Sequence, residues 1–512
     1  MAGLSFVPSG DAAKDKLVRR QYARGKLQRL MEGVYVDPGQ EPIETFVLRN
    51  WHRLAANVVP EGVVTDRTGI DAQPWRDRAT GSPSGDGFVF MSAPRSRSTF
   101  AFPGLMISVR SGAGPAAGDL PFLDTRIASP ARQLLDNMTP SRARSGPSRT
   151  VGAAGVEAKL ESICALHGAE RLNTLRDDAR ALAPSIDRGE EFALLDKLIG
   201  TLLGTNDIKL KTIQGKARSQ GRPIDIACVE RLHRLREFLI VHNASGTPNA
   251  ETNGEFLAAG AFVESYFSNY IEGTRFTVEE ATEIVFEGKT PNNRPEDGHD
   301  VLAAYLQLVE LEPRCPPIDP HTFISEVKER HRLLMKGRTA VNPGQFKDKQ
   351  NQAGDTVFSS PEMVEGTMLE GLKLFSSLQK PFARAMFVHY MLSDVHPFTD
   401  GNGRIARIMM TKELAASGLS RIVVPTIFRD DYIDGLRVIS RRSEPSIFVR
   451  SMQYCQAISA ACATNSVQGA IRKWASAYAF CEDVRRARLS MPNPSLVLVE
   501  RNGLLAPADY WD

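Results

Sequence analysis

What the 512-residue chain lacks narrows its chemistry first. It has only six cysteines, Cys164, Cys228, Cys315, Cys455, Cys462 and Cys481, and no two of them form a C-x-x-C pair. That scatter argues against a zinc ribbon, a redox motif or a disulfide scaffold, and the thiols are expected to be small buried apolar residues. No apolar run approaches the length that spans a bilayer, so no membrane partner is expected. Met1 to Gly10 lack a basic stretch followed by an apolar core, which points to the cytoplasm. Net charge is also small: 63 basic against 60 acidic residues leave +3, too little for the whole molecule to act as a nucleic-acid sponge. The chain has no internal repeat and no low-complexity tract.

What is present is a globular composition, 42% hydrophobic and 24% charged, over a length that implies about two to four domains. Lys14 to Arg29 is basic and helix-compatible. Gly33-Val34-Tyr35-Val36 after it reads as a turn and a short strand, an order that suits a small winged helix. Asp71 to Gly118 is rich in Gly, Ser and Pro with short apolar runs, favouring β-structure, and Ser129-Pro130 starts a helix. Thr139 to Thr150 is polar, basic and breaker-rich, the composition of a linker. Glu190 to Leu203 and Cys228 to Val241 carry apolar residues at helical spacing, and helix dominates thereafter. The exception is Gly337 to Phe358, where Pro343-Gly344 and Ala353-Gly354 mark the turns of a hairpin or flap.

The chemistry concentrates in His396-Pro397-Phe398-Thr399-Asp400-Gly401-Asn402-Gly403-Arg404-Ile405-Ala406-Arg407. Pro381 to Ser393 upstream and Asn402 to Ser417 downstream both read as helices, so the segment is a loop that opens onto a helix N-terminus. Gly401, Asn402 and Gly403 there let backbone N–H groups face an anion, which the helix dipole also favours. Arg404 and Arg407 lie three apart, on one helical face, and suit phosphate oxygens. Asp400 offers a hard carboxylate for Mg²⁺, and His396 titrates near neutrality and suits proton acceptance from a hydroxyl. Taken singly, a Gly-Asn-Gly is usually a turn and a His before Pro usually structural. Together, the residues make a complete phosphoryl or nucleotidyl transfer set.

This loop resembles the signature of Fic-domain proteins, H-P-F-x-[D/E]-G-N-G-R-x-x-R, at every specified position, and the resemblance extends over roughly residues 255 to 455. It implies a protein adenylyltransferase that moves AMP from ATP to a Tyr, Ser or Thr hydroxyl of a target protein or of itself. His396 is then the base and Asp400 the Mg²⁺ ligand. Gly401 to Gly403 hold the α- and β-phosphates, and Arg404 and Arg407 the β- and γ-phosphates. Pro343-Gly344-Gln345-Phe346-Lys347 resembles the start of the Fic flap, which aligns the target chain, with Lys347 in place of Arg and Lys349 to Gln352 in place of an apolar tip. Phe428 to Tyr432 resembles the segment bordering the nucleotide, which makes Tyr432 an adenine contact. Ser268-Asn269-Tyr270-Ile271-Glu272-Gly273 fits the Fic inhibitory motif, in which Glu272 pairs with Arg407 and blocks the γ-phosphate. As ordinary structure the same stretch is a helix end, with Thr277 to Glu280 capping the next helix. The resemblance leaves AMP removal open beside AMP addition. Phosphate transfer is disfavoured, because the Doc branch carries Lys where this chain has Gly403.

The N-terminal region more loosely resembles the winged-helix domain of type IV abortive-infection antitoxins, which implies a DNA-binding regulator as the rival reading. Residues 1 to 36 carry Lys14, Lys16, Arg19, Arg20, Arg24, Lys26 and Arg29 against three acids, an excess that suits phosphate-backbone contacts and equally a solvated helix face. The expected architecture is multidomain and mainly α. It comprises a winged-helix-like domain at 1–70, a β-rich extension at 71–145, a helical linker region at 146–250, and an all-helical Fic domain with a β-hairpin flap at 251–460. The inhibitory helix lies near 258–273, and a C-terminal helical tail occupies 461–512. Oligomers are compatible with this reading.

Overall fold

The computed structural model describes residues 3–37, 39, 41–76, 87–141, 147–250, 253–291, 293–311 and 315–511. Two compact units divide the chain, Met1–Gly221 and Arg222–Asp512. No helix among the described residues is long and apolar enough to cross a membrane.

The first unit is α+β. Strands β1 (Gly3–Phe6), β2 (Gln28–Met31) and β3 (Val34–Asp37) form an antiparallel sheet in the order β1-β3-β2, with helix Ala12–Ala23 between β1 and β2. The basic segment read as helix to Arg29 therefore divides: Arg24 to Leu27 turn the chain and Arg29 lies on β2, paired with Tyr35. A six-stranded mixed sheet follows, built from β4 (Val63–Val64), β5 (Gly87–Ala93), β6 (Ser98–Phe102), β7 (Leu105–Ser111), β8 (Leu120–Phe122) and β9 (Thr125–Ile127). Its order is β6-β7-β5-β4-β9-β8, with parallel β5–β7 and β4–β9 pairs. Helix Pro130–Met138 starts as its sequence dictates, with Pro130 at the first turn and the Ser129 side chain accepting the Arg132 N–H. It shares a core with helices Gly152–Leu182 and Gly189–Leu202. Residues 142–146 of the expected linker lie outside the described residues.

The second unit is helical and is organised by two consecutive helices, Pro381–Val395 and Asn402–Ala415, that pack on each other. Both are buried nearly all round, so other helices must wrap them. Ile226–His242 and Val364–Phe375 pack on the first, and Gly254–Ile271, Pro295–Glu310 and Phe323–Leu334 on the second. The flap is a hairpin of β10 (Gln352–Ala353) and β11 (Thr356–Val357), joined by Gly354-Asp355. Gly354 has φ +57°, the positive value such a turn wants. Lys349 to Gln352, read as the flap tip, thus lies before the turn, because the Ala353–Thr356 pair closes it two residues later. The expected helical tail holds helix Val467–Ser476 and then a hairpin of β12 (Leu498–Arg501) and β13 (Leu504–Pro507) around Asn502-Gly503. Both turn residues have positive φ, 54° and 75°, so this Asn-Gly pair dictates a hairpin where helix was expected.

Candidate active site

Helix Pro381–Val395 stops at His396, whose φ of 54° and ψ of 60° place a non-glycine residue in the left-handed region as the helix cap. That conformation turns the chain out of the helix and aims the imidazole into a cavity of ≈ 330 Å³. The His396 Nδ1–H donates to the Ser393 carbonyl (3.2 Å), which leaves Nε2 with a free lone pair. Phe358, just past the flap hairpin, stacks on the ring at a centroid distance of 3.8 Å. Burial lowers the His396 pKa to about 4, so the ring is neutral at pH 7.

The loop beyond is braced by its own side chains. Asn402 Oδ1 accepts the Phe398 N–H and its Nδ2 donates to the Phe398 carbonyl, both at 2.8 Å. Gly401 has φ +77°, and a Cβ there would stand 2.8 Å from Met335 Sδ, so glycine is required for conformation and space alike. Asp400 is half-exposed; its Oδ1 accepts the Gly401 N–H (2.7 Å) and its Oδ2 lies 3.6 Å from Arg404 Nη2. Such a donor set fits Mg²⁺, which takes one or two carboxylates and completes its shell with water and phosphate oxygens.

The two arginines differ. Arg407 is 3% exposed and hydrogen-bonded through all three of its nitrogens. Its Nε donates to Ser268 Oγ (2.9 Å), Nη2 donates to the Ser268 carbonyl (3.0 Å) and to Glu272 Oε1 (2.6 Å), and Nη1 donates to Tyr432 Oη (3.4 Å). Ser268 and Glu272 are the hydroxyl and acidic residues of the motif read from sequence, placed by helix Gly254–Ile271, which is capped by Glu272. The Glu272 carboxylate sits over Gly403, where an added Cβ would collide with Oε1. It therefore occupies the anion position at the N-terminus of helix Asn402–Ala415. Arg404, by contrast, does not line the cavity; its Nη1 donates to buried Asp300 (2.5 Å), which also holds Arg338 (2.7 Å).

Glu272, His396, Gly403, Arg407 and Tyr432 thus line one cavity. Pro343, Gly344 and Phe346 do not; they root the flap. Gly344, at φ +81°, donates its N–H to His331 Nδ1 (2.9 Å), and Phe346 lies beside Phe398. The flap residues that reach the cavity are Ala353, Thr356 and Phe358. Tyr432 is buried, with its hydroxyl shared between Arg407 and His389 Nε2 (3.0 Å), so it offers a nucleotide only its ring. Burial, reinforced by the Arg407 charge, lowers the His389 pKa to about 3.

His331 was invisible to sequence reasoning. Its Nδ1 accepts from Gly344 and its Nε2–H donates to the Asp400 carbonyl (3.0 Å), while the ring stacks on Phe398 at 3.7 Å. One neutral imidazole, lowered by burial to about 4, ties the flap root to the phosphate loop. Asp300 was equally hidden. Neither sits in a motif, and 69 and 104 residues separate them from Asp400 and Arg404, the loop residues they hold.

These features define a Fic-type fold and site, and the Fic/DOC family profile matches residues 321–414. A Fido domain-containing protein of Dictyostelium discoideum is 32% identical over 115 residues, covering 22% of this chain and 80% of that protein. The chain belongs to the Fic/DOC family. The protein adenylyltransferase fic-1 of Caenorhabditis briggsae is 26% identical over 289 residues, covering 52% of this chain and 56% of that protein. This chain spans about half the length of such curated relatives. A Fic domain-containing signaling protein of Bacteroides thetaiotaomicron matches in structure with TM-score 0.37 and 22% identity, covering 48% of this chain and 96% of that one.

Proposed function

We propose that this chain transfers AMP from ATP to a Tyr, Ser or Thr hydroxyl of a target protein or of itself, and that Glu272 holds it in a low-activity state. The observation that carries this reading is a single cavity in which Glu272 occupies Arg407 at 2.6 Å above the Gly403 turn, with a neutral His396 beside it. Triphosphate oxygens would take the exposed N–H groups of the Asn402–Ala415 helix and the Arg407 guanidinium, displacing Glu272. Asp400 would hold Mg²⁺, which supplies charge neutralisation to the phosphates when bound. The flap lines up the target hydroxyl, and His396 Nε2 accepts its proton as the oxygen bonds to the α-phosphorus. The α–β bridging P–O bond breaks and pyrophosphate leaves. Incubating purified Glu272→Gly protein with ATP labelled at the α- or the γ-phosphate tests the class. α-label retained with a mass gain of one AMP unit, absent in His396→Ala, is expected; γ-label retained instead would mean phosphate transfer.

A base with a pKa near 4 also sets the pH dependence. Transfer is expected to hold level from pH 8 to about 5.5 and to fall only toward pH 4, not near 6.5. His331, His389 and His396 are all held neutral in the fold, so the unfolded chain takes up more protons below pH 6.5 and stability declines from there as pH falls. Circular dichroism at each pH keeps acid unfolding apart from loss of the base. An acid limb centred near 6.5 in folded protein would contradict the assignment.

One observation favours a second partner. All seven cations between Lys14 and Arg29 are exposed, on helix Ala12–Ala23 and the turn and strand after it. We propose that this surface takes a nucleic-acid backbone in the manner of a winged helix. A gel shift of the full chain with duplex DNA should weaken steeply with added salt and disappear in Arg19→Glu/Arg20→Glu protein; no shift at low salt would refute it.

A further inference from the structure

A buried cation stands behind the base. Lys347 is 4% exposed, and among the described residues no carboxylate pairs with it. Burying an ammonium without a counter-charge is costly. Burial lowers its pKa to about 8, so the side chain still carries its charge at pH 7. Its donors are spent on the chain around His396. The Lys347 backbone N–H donates to the Pro397 carbonyl (2.9 Å), and Nζ donates to the Val395 carbonyl at 3.5 Å. Nζ also donates to Asn351 Oδ1 at 2.6 Å, and Asn351 Nδ2 donates in turn to the Phe398 carbonyl at 3.0 Å. The Val395, Pro397 and Phe398 carbonyls bracket His396 on both sides. The Asn351 carbonyl accepts the Phe358 N–H (3.2 Å), and Lys347 Nζ lies 6.0 Å from the centre of the Phe358 ring that stacks on the imidazole.

We infer that Lys347, acting with Asn351, is a positioning residue that holds His396 in its turn and the flap against it. The inference rests on the transfer reading above. His396 sits at φ 54°, a left-handed conformation that costs a non-glycine residue free energy and persists only where its neighbours over-determine it. The Lys347–Asn351 pair supplies that constraint from the flap, the element that in the transfer reading lines up the target hydroxyl. Base and hydroxyl are thereby held in one frame, and attack depends on their separation to about 1 Å. A helix cap alone would have no use for Asn351, because an ammonium near the last carbonyl of helix Pro381–Val395 already complements the helix dipole.

The Glu272→Gly protein serves as parent for the test, because its phosphate site is open. Lys347→Met keeps the length of the side chain and removes its charge and donors. It should lower the rate of transfer from saturating α-labelled ATP about 10- to 100-fold and leave the ADP dissociation constant within about twofold of the parent, since the proposed phosphate contacts lie elsewhere. Lys347→Arg, which keeps charge and donors, should bring the rate back to within about threefold of the parent. Asn351→Leu should reproduce the loss, and the double variant should be no more than about twofold slower than the worse single, because the two residues act as one unit. A Lys347→Met rate equal to that of the parent, an equal loss in Lys347→Arg, additive losses in the double variant, or an ADP affinity that falls in step with the rate overturns the inference and leaves the transfer reading standing. If circular dichroism shows Lys347→Met unfolded, Asn351→Leu decides by the same split between rate and affinity. Absence of transfer by the parent itself overturns the transfer reading and the inference with it.

Discussion

Replacing Glu272 with glycine is expected to raise AMP transfer about 10- to 100-fold, the size of one freed charge-assisted contact to phosphate. Arg407 spends its Nη2 on Glu272, and the carboxylate stands over the Gly403 turn, where the proposed mode puts phosphate oxygens. Its removal returns a planar cation to the substrate and takes a like charge out of the phosphate position. The same change costs stability, because Arg407 is left buried with a partner missing; breaking such a pair costs about 3–5 kcal/mol, less here since Glu272 is 28% exposed and water can enter. The Glu272→Gly protein should therefore melt below wild type when nucleotide-free and recover with ATP and Mg²⁺. Labelling with α-phosphate-labelled ATP and paired thermal melts read both effects. Transfer equal to or below wild type would end the inhibitory assignment.

Replacing His396 with alanine is expected to lower transfer about 10²- to 10⁴-fold, the usual contribution of a positioned general base, while nucleotide affinity stays near that of wild type. In the proposed binding mode the phosphates meet the Asn402–Ala415 helix N-terminus and Arg407, neither of which uses the imidazole. The discriminating readout is the split between rate and affinity. Transfer near the wild-type rate would remove His396 as the base, and a parallel loss of ADP binding would make its role structural. Because Phe358 stacks on the ring, His396→Asn, which keeps a planar side chain without the basic nitrogen, is the companion variant.

The legible parts of this protein were those written locally. The loop from His396 to Arg407 is contiguous, and the helices on either side run to within two residues of their expected ends. The capping box at Thr277 and Glu280 forms as spaced, with the Thr277 side chain accepting the Glu280 N–H and the Glu280 side chain accepting the Thr277 N–H. Five of the six cysteines are buried, as their scatter implied. Ala353-Gly354, read as a turn, forms the flap turn, while Asn502-Gly503, which announces a hairpin, was passed over in a tail expected to be helical.

The amino-acid sequence alone determined the loop, its glycines, the order of base, carboxylate and arginines, and the helix whose N-terminus opens toward phosphate. Those depend on backbone freedom and on spacing within a few residues, which a linear reading resolves. Tertiary structure alone decided that Asp300 takes Arg404 out of the cavity wall and that His331 joins flap to loop, whereas the Glu272–Arg407 contact across 135 residues was expected from the motif. Packing also set Lys347 and Asn351 against the turn that carries His396. Each of these pairs buried polar groups from separate helices or loops. Their partners are chosen by how the helices pack around the Pro381–Val395 and Asn402–Ala415 pair, and no local pattern encodes that choice.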